Sequence, residues 1–342
     1  MLKFILPTIY LLAIQLKHGR TFEVIWNVPT ENCRNSTDFS ALLKSANITY
    51  NAGDRFRGEK IQIFYSPGAW PSLEHGKVKN GGLPYKGNLS LHIDQFKQQI
   101  GELIDKDYSG YAIIDMESFR PVFRQNTGWM LVYRTETLKN VSQIYPELKE
   151  HELFQKAAQL FELPAEKFML ETLKTAKENW PKAKWGYYGY PYCFNSKLSN
   201  FECPKLVMVE NNRTDWLFSA YDHMYPSVYI FKRNSEDQNR KLIAERVKEY
   251  QRIKQFSKNK RLAFYPYVWY YYNDPGQTGV YLSNSEFKMT MVELVKGNMD
   301  GTIIWGSSAD FKKPEFCGSL YNYTKTVIIP SVEKARRMKK SK

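Results

Sequence analysis

In the stretch YAIIDMESFRP, Tyr111 to Pro121, an apolar run ends in two acids, Asp115 and Glu117, separated by one methionine. Side chains alternate along an extended strand, so residues two apart face the same way with Cα atoms about 6.5–7 Å apart. If their charges stand about 5 Å apart at an effective dielectric near 20, they repel by about 3 kcal/mol, or about two pK units. One of the pair then keeps a proton at mildly acidic or neutral pH beside an ionised partner, the condition for general-acid catalysis. The bland alternative is a strand that ends in solvent, with both acids exposed or paired to Arg120 and Arg124. Aromatic residues at the other strand ends weigh against it, because sugar rings present apolar faces that pack on Tyr and Trp. Acids this close leave little room for the water of an inverting glycosidase, whose carboxyls stand about 6.5–9.5 Å apart, so configuration is expected to be retained. Both acids also approach a sugar from one side, which disfavours direct attack from the opposite face. The expected nucleophile is therefore the substrate's own N-acetyl carbonyl, and the substrate must carry an N-acetylhexosamine.

The elements that would position this pair recur along the chain. Short β-rich runs begin at Phe22, Ile61, Tyr111, Lys184, Ser227 (SVYIF), Leu262 and Gly301, with helical stretches such as HELFQKAAQLF from His151 and EKFMLETLKTAKENW from Glu166 between them. Strands alternating with helices predict a parallel sheet. Recurrence over this length, with no GxGxxG after the first strand, predicts an α/β fold closed into a distorted TIM-like barrel rather than an open dinucleotide-binding sheet. No linker or internal repeat divides the chain, so a single domain is expected over residues 21–335. Catalytic groups of such barrels sit at the C-terminal strand ends. Asp115 and Glu117 occupy one such end, and Tyr65, Tyr188, Tyr229 and Trp305 occupy others.

The 342 residues carry a net charge of +14, which raises the local concentration of a polyanion. Residues 1–20 read as a secretory signal peptide, since Phe4 to Leu16 is too short to span a bilayer. Outside the cell the polyanion is more often an acidic polysaccharide than a nucleic acid, and no compact nucleic-acid motif is present. The four cysteines predict two disulfides with three possible pairings, Cys193 and Cys203 being near enough for a local loop. Sequons at Asn35, Asn47, Asn88, Asn140, Asn212 and Asn322 fit a secreted glycoprotein. Residues 336–342 read as a frayed basic tail. The five histidines show no HExxH spacing, so no metal is expected, and no GxSxG elbow marks a serine nucleophile.

The segments IIDMESFRPVFRQN, WGYYGYPYCFN, YPSVY and GTIIWGSS, in this order, resemble the hyaluronidases of glycoside hydrolase family 56, particularly the insect venom and salivary type. NVPTENC and FRGEKIQIFYSPG add to the resemblance, which runs from about Phe22 to about Ser331. It implies hydrolysis of the β-1,4 bonds between N-acetylglucosamine and glucuronate in hyaluronan, with chondroitin a further candidate and no cofactor, while the acid pair and the basic balance predict an acidic optimum. It implies Glu117 as proton donor and later base, and Asp115 as the residue that positions the attacking acetamido group. Tyr65, Tyr188, Tyr229, Trp305 and Ser307 are implied at the reacting sugar, and Arg120 and Arg246 near glucuronate carboxylates. The cysteine pattern implies Cys33 with Cys317 and Cys193 with Cys203. Departures are Met116 for the family's frequent Phe, Phe119 for Trp, and Ser66 after Tyr65 for Asp. An inactive polysaccharide-binding relative is the alternative, which retention of both acids disfavours.

Overall fold

Strands that read as unbroken apolar runs need an apolar neighbour on each face. In this protein one face looks into a ring of strands and the other onto a shell of helices. The computed structural model describes residues 21–340, apart from 75, 198, 276–278 and 313–314. The proposed signal peptide therefore lies outside the described residues.

The strands are β1 (Glu23–Asn27), β2 (Ile61–Tyr65), β3 (Ser72–Glu74), β4 (Lys77–Lys79), β5 (Tyr111–Asp115), β6 (Lys184–Tyr187), β7 (His223–Met224), β8 (Ala263–Phe264), β9 (Tyr267–Trp269) and β10 (Gly301–Trp305). The helices are α1 (Ser40–Ser45), α2 (Leu89–Gly101), α3 (Leu131–Ile144), α4 (Glu150–Asn179), α5 (Lys205–Arg213), α6 (Asp215–Ala220), α7 (Glu236–Phe256), α8 (Asn284–Lys296), α9 (Glu315–Tyr323) and α10 (Ile329–Lys340). Parallel ladders run β2-β5-β6, β7-β8 and β1-β10-β9, while β3 and β4 form an antiparallel hairpin. Parallel bridges Tyr188–Tyr225 and Ser227–Tyr267 join these pieces. Between β1 and β2 the seam is irregular. Trp26 N donates to Thr49 O at 2.8 Å, and the Asn51 side chain then accepts from Ile61 N at 2.9 Å and donates to Ile61 O at 3.0 Å. The result is a distorted α/β barrel.

Alternation sets the two layers. Ile25, Ile61, Ile63, Tyr111, Ile113, Tyr225, Tyr267 and Ile303 fill the ring, whereas Val24, Trp26, Phe64, Ala112, Ile114, Trp185 and Ile304 pack outward against the helices. Along β5 this places Tyr111 and Ile113 inward, so the next inward position, at the C-terminal end, is Asp115. Each fully buried Ile or Phe contributes about 1.5–3 kcal/mol. The two disulfides are Cys33–Cys317, which ties the loop after β1 to α9, and Cys193–Cys203.

Three expectations are corrected. SVYIF is not a strand: the short β7 precedes it, and only Ser227 makes a ladder contact. The two helical stretches around Pro164 form one helix, α4. An internal proline costs about 3 kcal/mol, and the buried stripe Ala157, Phe161, Ala165, Phe168, Met169, Leu173 and Ala176 offsets it by packing on the barrel. The basic tail is not frayed through Lys340, because it belongs to α10. There Arg336 donates to the carbonyls of Phe22 (3.2 Å) and Asn47 (2.8 Å), tying α10 to the residue before β1 and to the loop after α1.

Candidate active site

Asp115 ends β5 opposite Tyr65 of β2. Its backbone is held from one side by Ser66 N, which donates to Asp115 O at 2.8 Å, and the adjoining Ile114 O accepts from Tyr188 N at 3.0 Å on the other. Thus Ser66, where the family's frequent Asp is missing, fixes the strand end through its main chain. The next residues anchor Glu117. Met116 and Phe119 are fully buried, the latter against Trp70, Tyr133 and Phe161. Buried Asn126 clamps the following turn, accepting from Arg120 N at 2.8 Å and donating to the carbonyls of Arg120 and Val122 at 2.9 and 3.1 Å.

The two carboxyls hydrogen-bond each other. They line one cavity of about 190 Å³ with Tyr188, Tyr229, Tyr267, Trp269, Asn273 and Trp305. Glu117 opens to the mouth while Asp115 sits deeper. Burial, then repulsion from Glu117, pushes Asp115 up to about 8. Glu117 is also raised by burial, with the positive charge of Arg120 opposing. Two acids in such close contact titrate as a unit, and the upward shift of both favours a proton held between them.

Of the residues singled out in the sequence, Asp115, Glu117, Tyr188, Tyr229 and Trp305 come together at this cavity. Tyr65 is 48% exposed on the rim and hydrogen-bonds Trp305. Arg120 lies near Glu117, its guanidinium 4.7 Å from the Tyr192 ring centroid and 5.1 Å from that of Phe194, and it donates to Gln125 O at 2.7 Å. Arg124 is not part of the site, since it forms a forked pair with buried Glu210. Arg246 does not line the cavity. It donates to Asn195 Oδ1 at 3.0 Å and to Ser227 O at 3.1 Å, holding from behind the segment that carries Tyr229. Ser307 also stands outside it, its Oγ accepting from Ala309 N and its N donating to Asp310.

Tyr267, Trp269 and Asn273 were not singled out in advance. Their signal was present in PYVWYYYND, where period-two alternation sends Tyr267 and Trp269 inward. Trp269 lies 5.3 Å from Trp305 and 6.1 Å from Tyr229, ring centroid to ring centroid, so the three rings make an aromatic wall. An apolar wall facing a protonated carboxyl pair suits a pyranose ring whose leaving oxygen must gain a proton.

The family model described as Hyaluronidase matches residues 13–340. A salivary hyaluronidase of Lutzomyia longipalpis is 44% identical over 320 residues, covering 89% of this chain and 84% of that protein. Hyaluronidase B of Vespa velutina is 39% identical over 319 residues, covering 91% and 96%. The crystal structure of bee venom hyaluronidase in complex with a hyaluronic acid tetramer superposes with a TM-score of 0.86 at 35% identity, covering 92% of this chain and 99% of the other. The barrel and nearly the whole described chain are thus shared with these proteins, and the chain belongs to the hyaluronidase family, glycoside hydrolase family 56.

Proposed function

We propose that the protein is a secreted endo-β-N-acetylhexosaminidase that cleaves the β-1,4 bond between N-acetylglucosamine and glucuronate in hyaluronan with retention of configuration. The observation that carries this reading is the adjacent carboxyl pair Asp115 and Glu117, both pushed up, in a cavity walled by Tyr188, Tyr229 and Trp305. The acetamido N–H of a bound N-acetylglucosamine donates to Asp115 and favours its ionised form, which leaves the shared proton on Glu117. Glu117 gives this proton to the glycosidic oxygen as the acetamido carbonyl oxygen bonds to C1 and the C1–O bond breaks. The resulting oxazolinium carries a positive charge that the Asp115 carboxylate offsets in a site with little water. Water then adds to C1, its proton returns to Glu117, and the ring opens to regenerate the acetamide. Tyr229 and Trp305 hold the sugar during both steps, Tyr188 and Tyr65 border it, and Arg120 biases Glu117 toward charge between turnovers. Arg246 and Ser307 act through the backbone they support.

A salivary relative, a structural neighbour from bee venom and the exposed sequons at Asn35, Asn47, Asn88 and Asn322 support an extracellular setting. Asn140 and Asn212 are tied into the fold by Tyr85 and Arg252. No helix among the described residues is long and apolar enough to cross a membrane. Chondroitin shares the glucuronate and an N-acetylhexosamine, so it is the second polysaccharide to assay. The test is the chain length of hyaluronan after incubation with the wild type and with Glu117→Gln. The wild type is expected to shorten the polymer and the variant to leave it intact. Equal activity in both would refute the assignment.

A further inference from the structure

Beside the catalytic cavity lies a second one of about 530 Å³, and the two share Trp269 and Asn273 as a common wall. Its remaining lining includes Lys197, Phe231, Arg233 and Asp274. Two cations thus face one carboxylate. Arg233 is held rather than loose. Its guanidinium carbon is 3.9 Å from the Phe231 ring centroid, and one nitrogen donates to Asp274 Oδ1 at 3.0 Å. Asp274, nearly buried, is itself fixed by the Lys232 N–H. A guanidinium has five N–H donors in a planar fork, and Asp274 engages one of them. Trp269 lines both cavities, so its ring is the apolar part of the wall they share.

We propose that this second cavity is a carboxylate-reading subsite that selects an acidic polysaccharide over a neutral one, with Arg233 as the specificity-determining residue and Lys197 as its auxiliary. The inference rests on the reading of the catalytic cavity given above. When an N-acetylglucosamine occupies that cavity, its neighbour in hyaluronan is a glucuronate, and the shared Trp269–Asn273 wall leads the chain toward Arg233. The fork, oriented by Asp274 and Phe231, meets the planar carboxylate. A neutral chitin-like chain with the same acetamido group would satisfy the catalytic acids and leave the remaining donors of Arg233 without a carboxylate.

The test compares KM and kcat of the wild type, Arg233→Gln, Arg233→Lys and Lys197→Ala on hyaluronan and on carboxyl-reduced hyaluronan, in which glucuronate has become glucose. Arg233→Gln keeps a stem and a planar head on Phe231, so folding is preserved. It is expected to raise KM for hyaluronan about tenfold with little change in kcat, the size of one charge-assisted contact at a half-exposed site. Arg233→Lys should recover part of the loss, and Lys197→Ala should show a smaller change of the same kind. On the carboxyl-reduced polymer the wild type and Arg233→Gln should be indistinguishable. An equal KM rise on both polymers would mark Arg233 as structural and overturn the proposal, as would an unchanged KM on hyaluronan. If the wild type cuts hyaluronan, Glu117→Gln does not, and Arg233→Gln matches the wild type, the subsite fails while the catalytic reading stands. A wild type that leaves hyaluronan uncut overturns both.

Discussion

At the N-terminal end of the barrel Glu23 accepts hydrogens from the hydroxyls of Tyr111, Tyr265 and Thr49, the latter two at 3.2 Å. At the C-terminal end Asp115 and Glu117 have each other and an aromatic wall. The single strand β5 joins the two settings, with Tyr111 at one end and Asp115 at the other. Both places set carboxylates among aromatic side chains, and they differ in where the lone pairs go. Fixed donors that fill an acid's lone pairs make it a strut, whereas an acid whose partner is another acid keeps a proton it can give away. Burial alone therefore does not mark a catalytic group. His223, at the Glu23 end, is pushed down to about 4 by burial and by the nearby Lys184 charge, and its Nδ1 has no hydrogen-bond partner among the described residues.

Three changes would break or sharpen this contrast. The largest effect is expected from Asp115→Asn. It removes the carboxylate proposed to offset the oxazolinium charge, and kcat on hyaluronan should fall about 10²- to 10³-fold with the fold intact by circular dichroism. A variant within about twofold of the wild type would place the charge stabilisation elsewhere. Next, Glu23→Gln weakens the acceptor of three hydroxyls and should lower stability by about 1–3 kcal/mol, read as a fall in Tm, while kcat of the folded enzyme stays near that of the wild type. Lost turnover at unchanged Tm would make the two barrel ends functionally alike. The smallest effect concerns stability against pH. Folding raises the Asp115 pKa, so its stabilising contribution is complete below the ordinary carboxylate range and is lost as pH rises through about 8. The wild type should therefore lose Tm relative to Asp115→Asn between pH 4 and pH 8. A constant difference over that window would mean that the carboxyl is not shifted.

Much of this was legible in the sequence because it is local. Period-two alternation in YAIID dictates that Asp115 follows Tyr111 and Ile113 inward, and the same rule applies to Tyr267 and Trp269. What failed to be legible depends on partners distant in the chain. Arg246 could be read toward a sugar carboxylate or toward the protein, and the choice lies with Asn195, 51 residues away, and with the Ser227 carbonyl. Ser307 adjoins Trp305 and Gly306, yet the following turn rotates it onto Ala309 and Asp310. Pro164 inside α4 shows the same priority of packing over local rule, because the Phe161–Phe168–Leu173 stripe overrides the helix-breaking residue. The tail offered a run of positive charge, and only the carbonyls of Phe22 and Asn47 reveal that Arg336 is a clasp.

The most direct test of the carboxyl pair's role is the turnover rate on hyaluronan whose N-acetyl groups are replaced by N-trifluoroacetyl groups, with substrate binding measured in parallel. Fluorine withdraws electrons from the carbonyl oxygen. If that oxygen performs the displacement while Asp115 and Glu117 manage one proton, kcat falls steeply at comparable affinity. An unchanged kcat would show that a protein group or water attacks C1, and would contradict the account.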